Sequence, residues 1–274
     1  MIIGSHNFDV NHTHIMGILN VTPDSFSDGG KYNKKEAALR HAMSMIEDGA
    51  EIIDIGGEST RPGYTMISPE EEMDRVCPVI ELIKKETDVP ISLDTYKSSV
   101  ADAGLSCGAD LLNDIWGLKY DSDMAAVIAK YNVPCCLMHN RNIEKNPYND
   151  FLDDYVSDMR ECIELALSGG ISNDKIILDP GVGFGKSYTQ NLLVIKHLDL
   201  LSELGYPVLL GTSRKSVIGT ALDLPKDERV EGTVATSVIA AQKRCLFVRV
   251  HDVKENYRAV KMTEAILQNF MEYR

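Results

Sequence analysis

The sequence has no C-x-x-C pair, no H-E-x-x-H and no other cysteine or histidine spacing that would gather a metal, which argues against a zinc site. Its six cysteines (Cys77, Cys107, Cys135, Cys136, Cys162, Cys245) are scattered, several in apolar surroundings, and are expected to be reduced and structural. Long apolar runs are missing too: no stretch approaches the roughly 18 residues of a membrane span. Residues 1–11 have neither a basic segment nor a sustained apolar one of the kind that directs export. A cytoplasmic protein with no membrane partner is the expectation. Basic residues are in deficit, 28 Lys and Arg against 41 Asp and Glu, for a formal charge of −13. A phosphate backbone would be repelled at long range, so no nucleic-acid partner is expected.

What is present is a repeating pattern. The 274 residues are 44% hydrophobic, enough for one buried core, and one domain over 1–274 accommodates them. Short runs rich in Ile, Val and Leu recur at 15–21, 51–57, 90–95, 110–115, 133–139, 175–181, 207–213 and 245–252. Their near-continuous apolarity suits strands covered on both faces. Helix-compatible segments lie between them: 34–48, stopped by Gly49; a helix opened by Ser68-Pro69-Glu70-Glu71; 150–168; and 254–272 at the end. The last offers Val260, Thr263, Ile266, Leu267 and Phe270 on one face, for the barrel wall or for a second copy. Eight strand–helix pairs predict an α/β fold, a (β/α)8 TIM barrel. An open doubly wound sheet is the rival. Its first strand would normally lead into G-x-G-x-x-G, whereas this one leads into Asn20-Val21-Thr22-Pro23-Asp24.

In a barrel, chemistry belongs at the carboxyl ends of the strands. Those ends supply Asn20, Asp54 with Glu58, Asp94, Asn113, Met138 with His139, Asp179, Ser213-Arg214-Lys215 and Arg249-Val250-His251. Lys215, Arg249 and His251, beside Gly211, Ser213 and Ser216, fit an anion such as pyrophosphate. Pairing of Lys215 and Arg249 with rim carboxylates such as Glu231 is the alternative. On the opposite side of the ring, Asp94, Asn113 and Asp179 suit a flat, nitrogen-rich heterocycle of the aminopyrimidinone kind. Asp179-Pro180-Gly181 also reads as a simple turn. Residues 21–30 and 56–63 are rich in Gly, Pro and Ser, as in surface turns or in lids, and Arg61 is the charge that would reach an anion from there.

Taken together, segments 16–30 and 54–63, Ser92-Leu93-Asp94-Thr95, Asn113-Asp114-Ile115, Leu137-Met138-His139, the run 179–186, Ser213-Arg214-Lys215 and Arg249-Val250-His251 resemble the signatures of the dihydropteroate synthase family. These are pterin-binding barrels of folate biosynthesis and targets of sulfonamides. The resemblance spans nearly the whole chain; its one departure is Val182, where an aromatic residue is frequent. It implies condensation of a dihydropterin pyrophosphate with p-aminobenzoate by a homodimeric, Mg²⁺-dependent transferase. It further implies that Asp94, Asn113, Asp179 and Lys215 hold the pterin ring, with Ile115, Met138 and Phe184 packing about it. Arg61, Arg249 and His251 would serve the pyrophosphate, with Asn20 binding Mg²⁺. Phe26, Thr60, Arg61, Pro62, Lys215 and Ser216 would form the p-aminobenzoate site. Lys215, Arg249, His251, Arg61 and Asp94 are thus the expected catalytic set. A pterin-dependent methyltransferase would have no use for the basic end or the Ser59-Thr60-Arg61-Pro62-Gly63 loop. A silent pterin-binding paralogue, or a barrel acting on another phosphorylated metabolite, remains as a further alternative.

Overall fold

The computed structural model describes residues 1–22, 31–59 and 65–269. The chain enters through an antiparallel hairpin, β1 (Ile2–Ile3) and β2 (His6–Asn7). Strands and helices then alternate. In order they are β3 (His14–Asn20), α1 (Lys31–Glu47), β4 (Ile52–Gly56), α2 (Pro69–Glu86), β5 (Ile91–Asp94), α3 (Ser98–Ser106), β6 (Leu111–Asp114) and α4 (Met124–Tyr131). There follow β7 (Cys135–Met138), α5 (Phe151–Ser168), β8 (Ile176–Asp179), α6 (Tyr188–Lys196), α7 (Asp199–Ser202), β9 (Leu209–Leu210), α8 (Ser216–Leu222), α9 (Val230–Gln242), β10 (Phe247–Val250) and α10 (Val253–Asn269).

Strands β3 to β10 pair in parallel in the order β8-β7-β6-β5-β4-β3-β10-β9. A parallel bridge between Leu178 and Val208, where the Leu178 amide donates to the Pro207 carbonyl at 2.9 Å, joins the two ends. The sheet is therefore closed, as the (β/α)8 pattern predicted, and each of the eight apolar runs overlaps one barrel strand.

Side-chain alternation along each strand gives the barrel two unlike surfaces. Ile15, Leu19, Ile53, Ile55, Leu93, Leu112, Leu137, Leu178, Leu210 and Val248 face outward, in one large cluster with helix residues such as Met45, Ile80, Val100 and Met159. Met16, Ile52, Leu111, Cys136, Ile177, Leu209 and Phe247 face inward and pack with Ile3 and Phe8. The hairpin thus plugs the amino-terminal mouth, with Phe8 edge-on to Phe247 at a centroid distance of 5.2 Å. Two residues further along, the inward side chain turns polar: Asp54 after Ile52, Asn113 after Leu111, Asp179 after Ile177, Arg249 after Phe247. One end of the interior is a dry plug, and the other is a polar mouth.

The helix signals hold locally. Ser68 Oγ accepts the Glu71 amide at 3.2 Å with Pro69 in the first turn, and Asp150 caps α5 through the Leu152 and Asp153 amides. Gly49, at φ +109°, ends α1 as the Ala50 amide returns to the Met45 carbonyl at 2.8 Å. The apolar face expected of the last helix divides. Val260 and Thr263 are buried, whereas Ile266 and Leu267 are exposed; Phe270 lies outside the described residues. Among the described residues no helix is long and apolar enough to cross a membrane.

Candidate active site

The centre of the polar mouth is an ionic clasp across the barrel. Arg249, from β10, donates through Nε to Asp54 Oδ2 and through Nη2 to Asp94 Oδ2, both at 2.6 Å. Ser92 Oγ donates to the other oxygen of Asp54 at 2.5 Å. Burial works against the guanidinium charge, but Asp54 and Asp94 outweigh it and push the Arg249 pKa upward. Asp94 moves the other way from its ordinary value: burial pushes it up to about 7 despite Arg249, with Asp54 and Glu72 adding to the rise. Its Oδ1 is buried with no hydrogen-bond partner among the described residues. Such an atom is costly unless something fills the space before it.

The sequence expectation needs correcting here. Arg249 does pair with carboxylates, as the alternative reading held, but with the interior Asp54 and Asp94 and not with Glu231, which is exposed on α9. Nor do basic and acidic groups occupy opposite sides; they interlock. Lys215 Nζ donates to the Val182 carbonyl at 2.6 Å and sits 5.0 Å from the Phe184 ring centroid. Burial lowers its pKa to about 8, against the pull of Asp179. Asp179 is itself raised by burial, with Lys215 opposing the rise. Gly211 lies where these groups meet: a Cβ there would stand in ordinary contact with them, 3.7 Å from Asp179 Oδ2 and 3.8 Å from Lys215 Nζ. The turn reading of Asp179-Pro180-Gly181 is also correct, because Asp179 Oδ1 accepts the Gly181 amide at 2.6 Å. One oxygen of Asp179 makes the turn while the other faces the mouth.

Asn113, at the end of β6, is buried beside this group. Ile115 and Met138 form an apolar cluster with Tyr96, against which Phe184 and Trp116 pack. Polar groups that suit ring nitrogens therefore border an apolar slot. Sequence reasoning brought Ile115, Met138 and Phe184 together but missed Tyr96 and Trp116, each of which lies two or three residues beyond a quoted strand-end polar residue.

The His251 amide donates to Ser213 Oγ at 3.1 Å, and its Nδ1 lies 3.0 Å from the same hydroxyl. Burial, helped by the charges of Arg249 and Arg214, lowers its pKa to about 3. His251 is thus a neutral hydrogen-bonding group at ordinary pH. Asn20 closes β3 opposite Gly56, and Ser216, exposed, opens α8 next to Lys215. Phe26, Thr60, Arg61 and Pro62 lie outside the described residues. No group of three or more His, Cys, Asp or Glu that would hold a metal occurs among the described residues.

Two buried networks lie behind the mouth. Lys97 Nζ donates to Glu58 Oε2 and Glu72 Oε2, each at 2.7 Å, and to the Ile67 carbonyl at 2.9 Å. Burial disfavours both carboxylates. Glu58, which also accepts from Lys97, Tyr96 and the Ile67 amide, is nonetheless held below its ordinary value, whereas Glu72 is raised. The second network joins Lys186, His139 and Asp158.

Comparison with known proteins identifies the family and supports the fold. Residues 16–251 match the model of the pterin binding enzyme family. A dihydropteroate synthase of Clostridium beijerinckii is 58% identical over 270 residues, which are 98% of this chain and 100% of that protein. A crystal structure of dihydropteroate synthase from Clostridium difficile in the presence of pteroic acid superposes with a TM-score of 0.91 at 50% identity, covering 95% of this chain and 98% of that one. The Yersinia pestis dihydropteroate synthase in complex with a sulfonamide drug gives a TM-score of 0.90 at 42% identity, covering 98% and 99%. With the matched segment running from Met16 in β3 to His251 just past β10, the chain belongs to the pterin binding enzyme family, among the dihydropteroate synthases.

Proposed function

We propose that this chain condenses 6-hydroxymethyl-7,8-dihydropterin pyrophosphate with p-aminobenzoate, giving 7,8-dihydropteroate and pyrophosphate. The observation that carries the proposal is the clasp of Arg249 with Asp54 and Asp94 beside an apolar slot, in a chain 58% identical to a dihydropteroate synthase over 98% of this chain. Mixing the purified protein with Mg²⁺ and both substrates should produce dihydropteroate detectable by mass. Absence of product with competent substrates would reject the activity.

The pterin ring binds between Asp94, Asn113, Asp179 and Lys215, with Ile115, Met138 and Phe184 along its faces. The buried, unpartnered Oδ1 of Asp94 is an acceptor for a ring N–H. Carbon–oxygen cleavage at the methylene precedes attack by the amine: electrons go to the departing pyrophosphate, and positive charge spreads into the ring. Carboxylates at Asp94 and Asp179 favour that cationic ring, while Arg249 and the neutral His251 donate to the leaving group. The arylamine has a free lone pair, so its nitrogen attacks without a dedicated base and loses its proton afterwards. The family signatures assign p-aminobenzoate to Phe26, Thr60, Arg61 and Pro62 together with Lys215 and Ser216, and the reaction requires that water, which would trap the cation as an alcohol, be kept away. Sulfonamides compete there.

The donor set suits an ion that arrives with the substrate. Mg²⁺ commonly takes one or two protein oxygens and the rest from phosphate and water, and Asn20 offers one amide oxygen at the mouth. Bound there, Mg²⁺ would supply charge neutralisation of the diphosphate. We also propose that the enzyme acts as a cytoplasmic homodimer.

A further inference from the structure

The run 181–185 is the wall on which the site depends most. It carries Phe184 in the apolar slot and the Val182 carbonyl that holds Lys215. Yet the run contains three glycines at positive φ (Gly181, Gly183 and Gly185) and belongs to no helix or strand. Backbone propensity alone would leave it many conformations.

Lys186 supplies what the run lacks. The residue as a whole is half-buried, but its amine reaches inward, 6.0 Å from the ring centroid of the fully buried Tyr155. There Nζ meets His139 Nδ1 at 2.7 Å and the carbonyls of Gly181 at 2.9 Å, Phe184 at 3.0 Å and His139 at 3.3 Å. Burial pushes the pKa of this amine well below the ordinary lysine range, with Asp179 and Asp158 opposing the fall; the three nearest atoms are nonetheless placed to accept its hydrogens. On the far side of the imidazole, Nε2 donates to Asp158 Oδ2 at 3.0 Å, which leaves Nδ1 as the acceptor for Lys186. Asp158 is in turn gripped by Arg141. The amine thus draws both ends of the wall onto the end of β7. The fit is close: a Cβ at Gly181 would stand 1.8 Å from the His139 carbonyl oxygen, and one at Gly185 would stand 2.4 Å from that of Arg141. Asn191 secures the middle by accepting the Gly183 amide at 2.6 Å and donating to the carbonyls of Lys186 and Ser187.

We propose that Lys186 is a positioning residue for pterin recognition: a tethered internal amine whose hydrogen bonds fix residues 181–185 and so set the Phe184 ring and the Val182 carbonyl that aims Lys215. The inference rests on the pterin reading of the site. Lys186 touches no substrate; its amine ties the carbonyls of Gly181, Phe184 and His139 together.

The test measures binding of two probes: 6-hydroxymethylpterin, which lacks the diphosphate, and inorganic pyrophosphate with Mg²⁺. Lys186→Met should weaken 6-hydroxymethylpterin by about tenfold or more while pyrophosphate affinity stays within about twofold. In Lys186→Ala, ethylammonium should restore at least about a third of the lost pterin affinity, and it should do nothing for Lys186→Met, where the stem fills the channel. Paired with Phe184→Leu, Lys186→Met should be non-additive, because both changes act on one wall. Equal loss of both probes, no loss of either, or simple additivity overturns the role. If the methionine variant does not fold, Lys186→Gln, which keeps a polar tip but lacks the reach of the lysine amine, carries the same comparison with the same criteria. Failure of the unmutated protein to bind 6-hydroxymethylpterin would instead sink the pterin reading itself, whatever the variants do.

Discussion

At the scale of single residues, burial opposes charge and neighbours of opposite sign favour it; the neighbours win at Arg249, and burial wins at Asp94 and Lys215. Arg249 is the clearest case: it neutralises Asp54 and Asp94 and still belongs to the mouth. Arg249→Ala should slow pyrophosphate release at least about tenfold, a barrier increase of about 1.4 kcal/mol. Near-normal turnover would remove Arg249 from the mechanism. His251 allows a pH test with a definite sign. Its folded pKa of about 3 lies below the ordinary 6.5. Its contribution to stability is therefore complete above pH 6.5 and is lost as pH falls from there toward 3. His139, also lowered to about 3 mainly by burial, adds a loss of the same sign. Between pH 6.5 and about 5, the urea midpoint of His251→Asn should fall less steeply than that of the parent. Parallel slopes would mean that His251 does not titrate as a buried neutral group. The positions of Asp94, Asn113, Asp179, Lys215 and Arg249 were legible in sequence because strand ends are marked by the change from apolar to polar. Their partners were not. Nothing in the spacing of Asp54 and Arg249, 195 positions apart, reveals that they touch.

At the scale of elements, accuracy followed the strength of the local signal. Ser68 and Asp150 cap their helices as their side chains dictate, and the apolar runs became strands. The hairpin β1–β2 escaped notice because two-residue strands have no readable period; only their burial of Ile3, with Phe8 beyond, gives them a purpose. Strand β9 was over-extended: 207–213 contains just Leu209 and Leu210 as ladder, because Gly211 and the Ser213 turn leave the sheet to build the site. Gly181 marks where an element end is held by sterics. At φ +66°, with a Cβ clashing against the His139 carbonyl, Gly181→Ala should cost about 2 kcal/mol or more. Urea denaturation measures this. A change of a few tenths would show that the two backbones separate easily, and with it the rigidity of the wall carrying Phe184 would fall.

At the scale of the molecule, the barrel assigns its two mouths different work: the plug of Ile3, Phe8 and Phe247 stabilises, and the polar mouth binds. The outer surface bears on association. Toward its end α10 turns Met262, Ile266 and Leu267 to solvent, 61%, 50% and 42% exposed, whereas Val260 and Thr263 on the same helix are buried in the body. Met262 and Ile266 stand one turn apart, so their side chains form a continuous apolar strip. A net charge of −13 opposes association at long range, which leaves short-range apolar burial to drive it. Light scattering should therefore give about twice the chain mass of 30.4 kDa. Met262→Glu combined with Ile266→Glu should shift the mass to that of one chain and leave dihydropteroate formation intact. A single-chain mass for the parent at working concentration rejects the homodimer. A double variant that stays dimeric places the contact on another face, and loss of activity on dissociation would show that the barrel mouth depends on its neighbour.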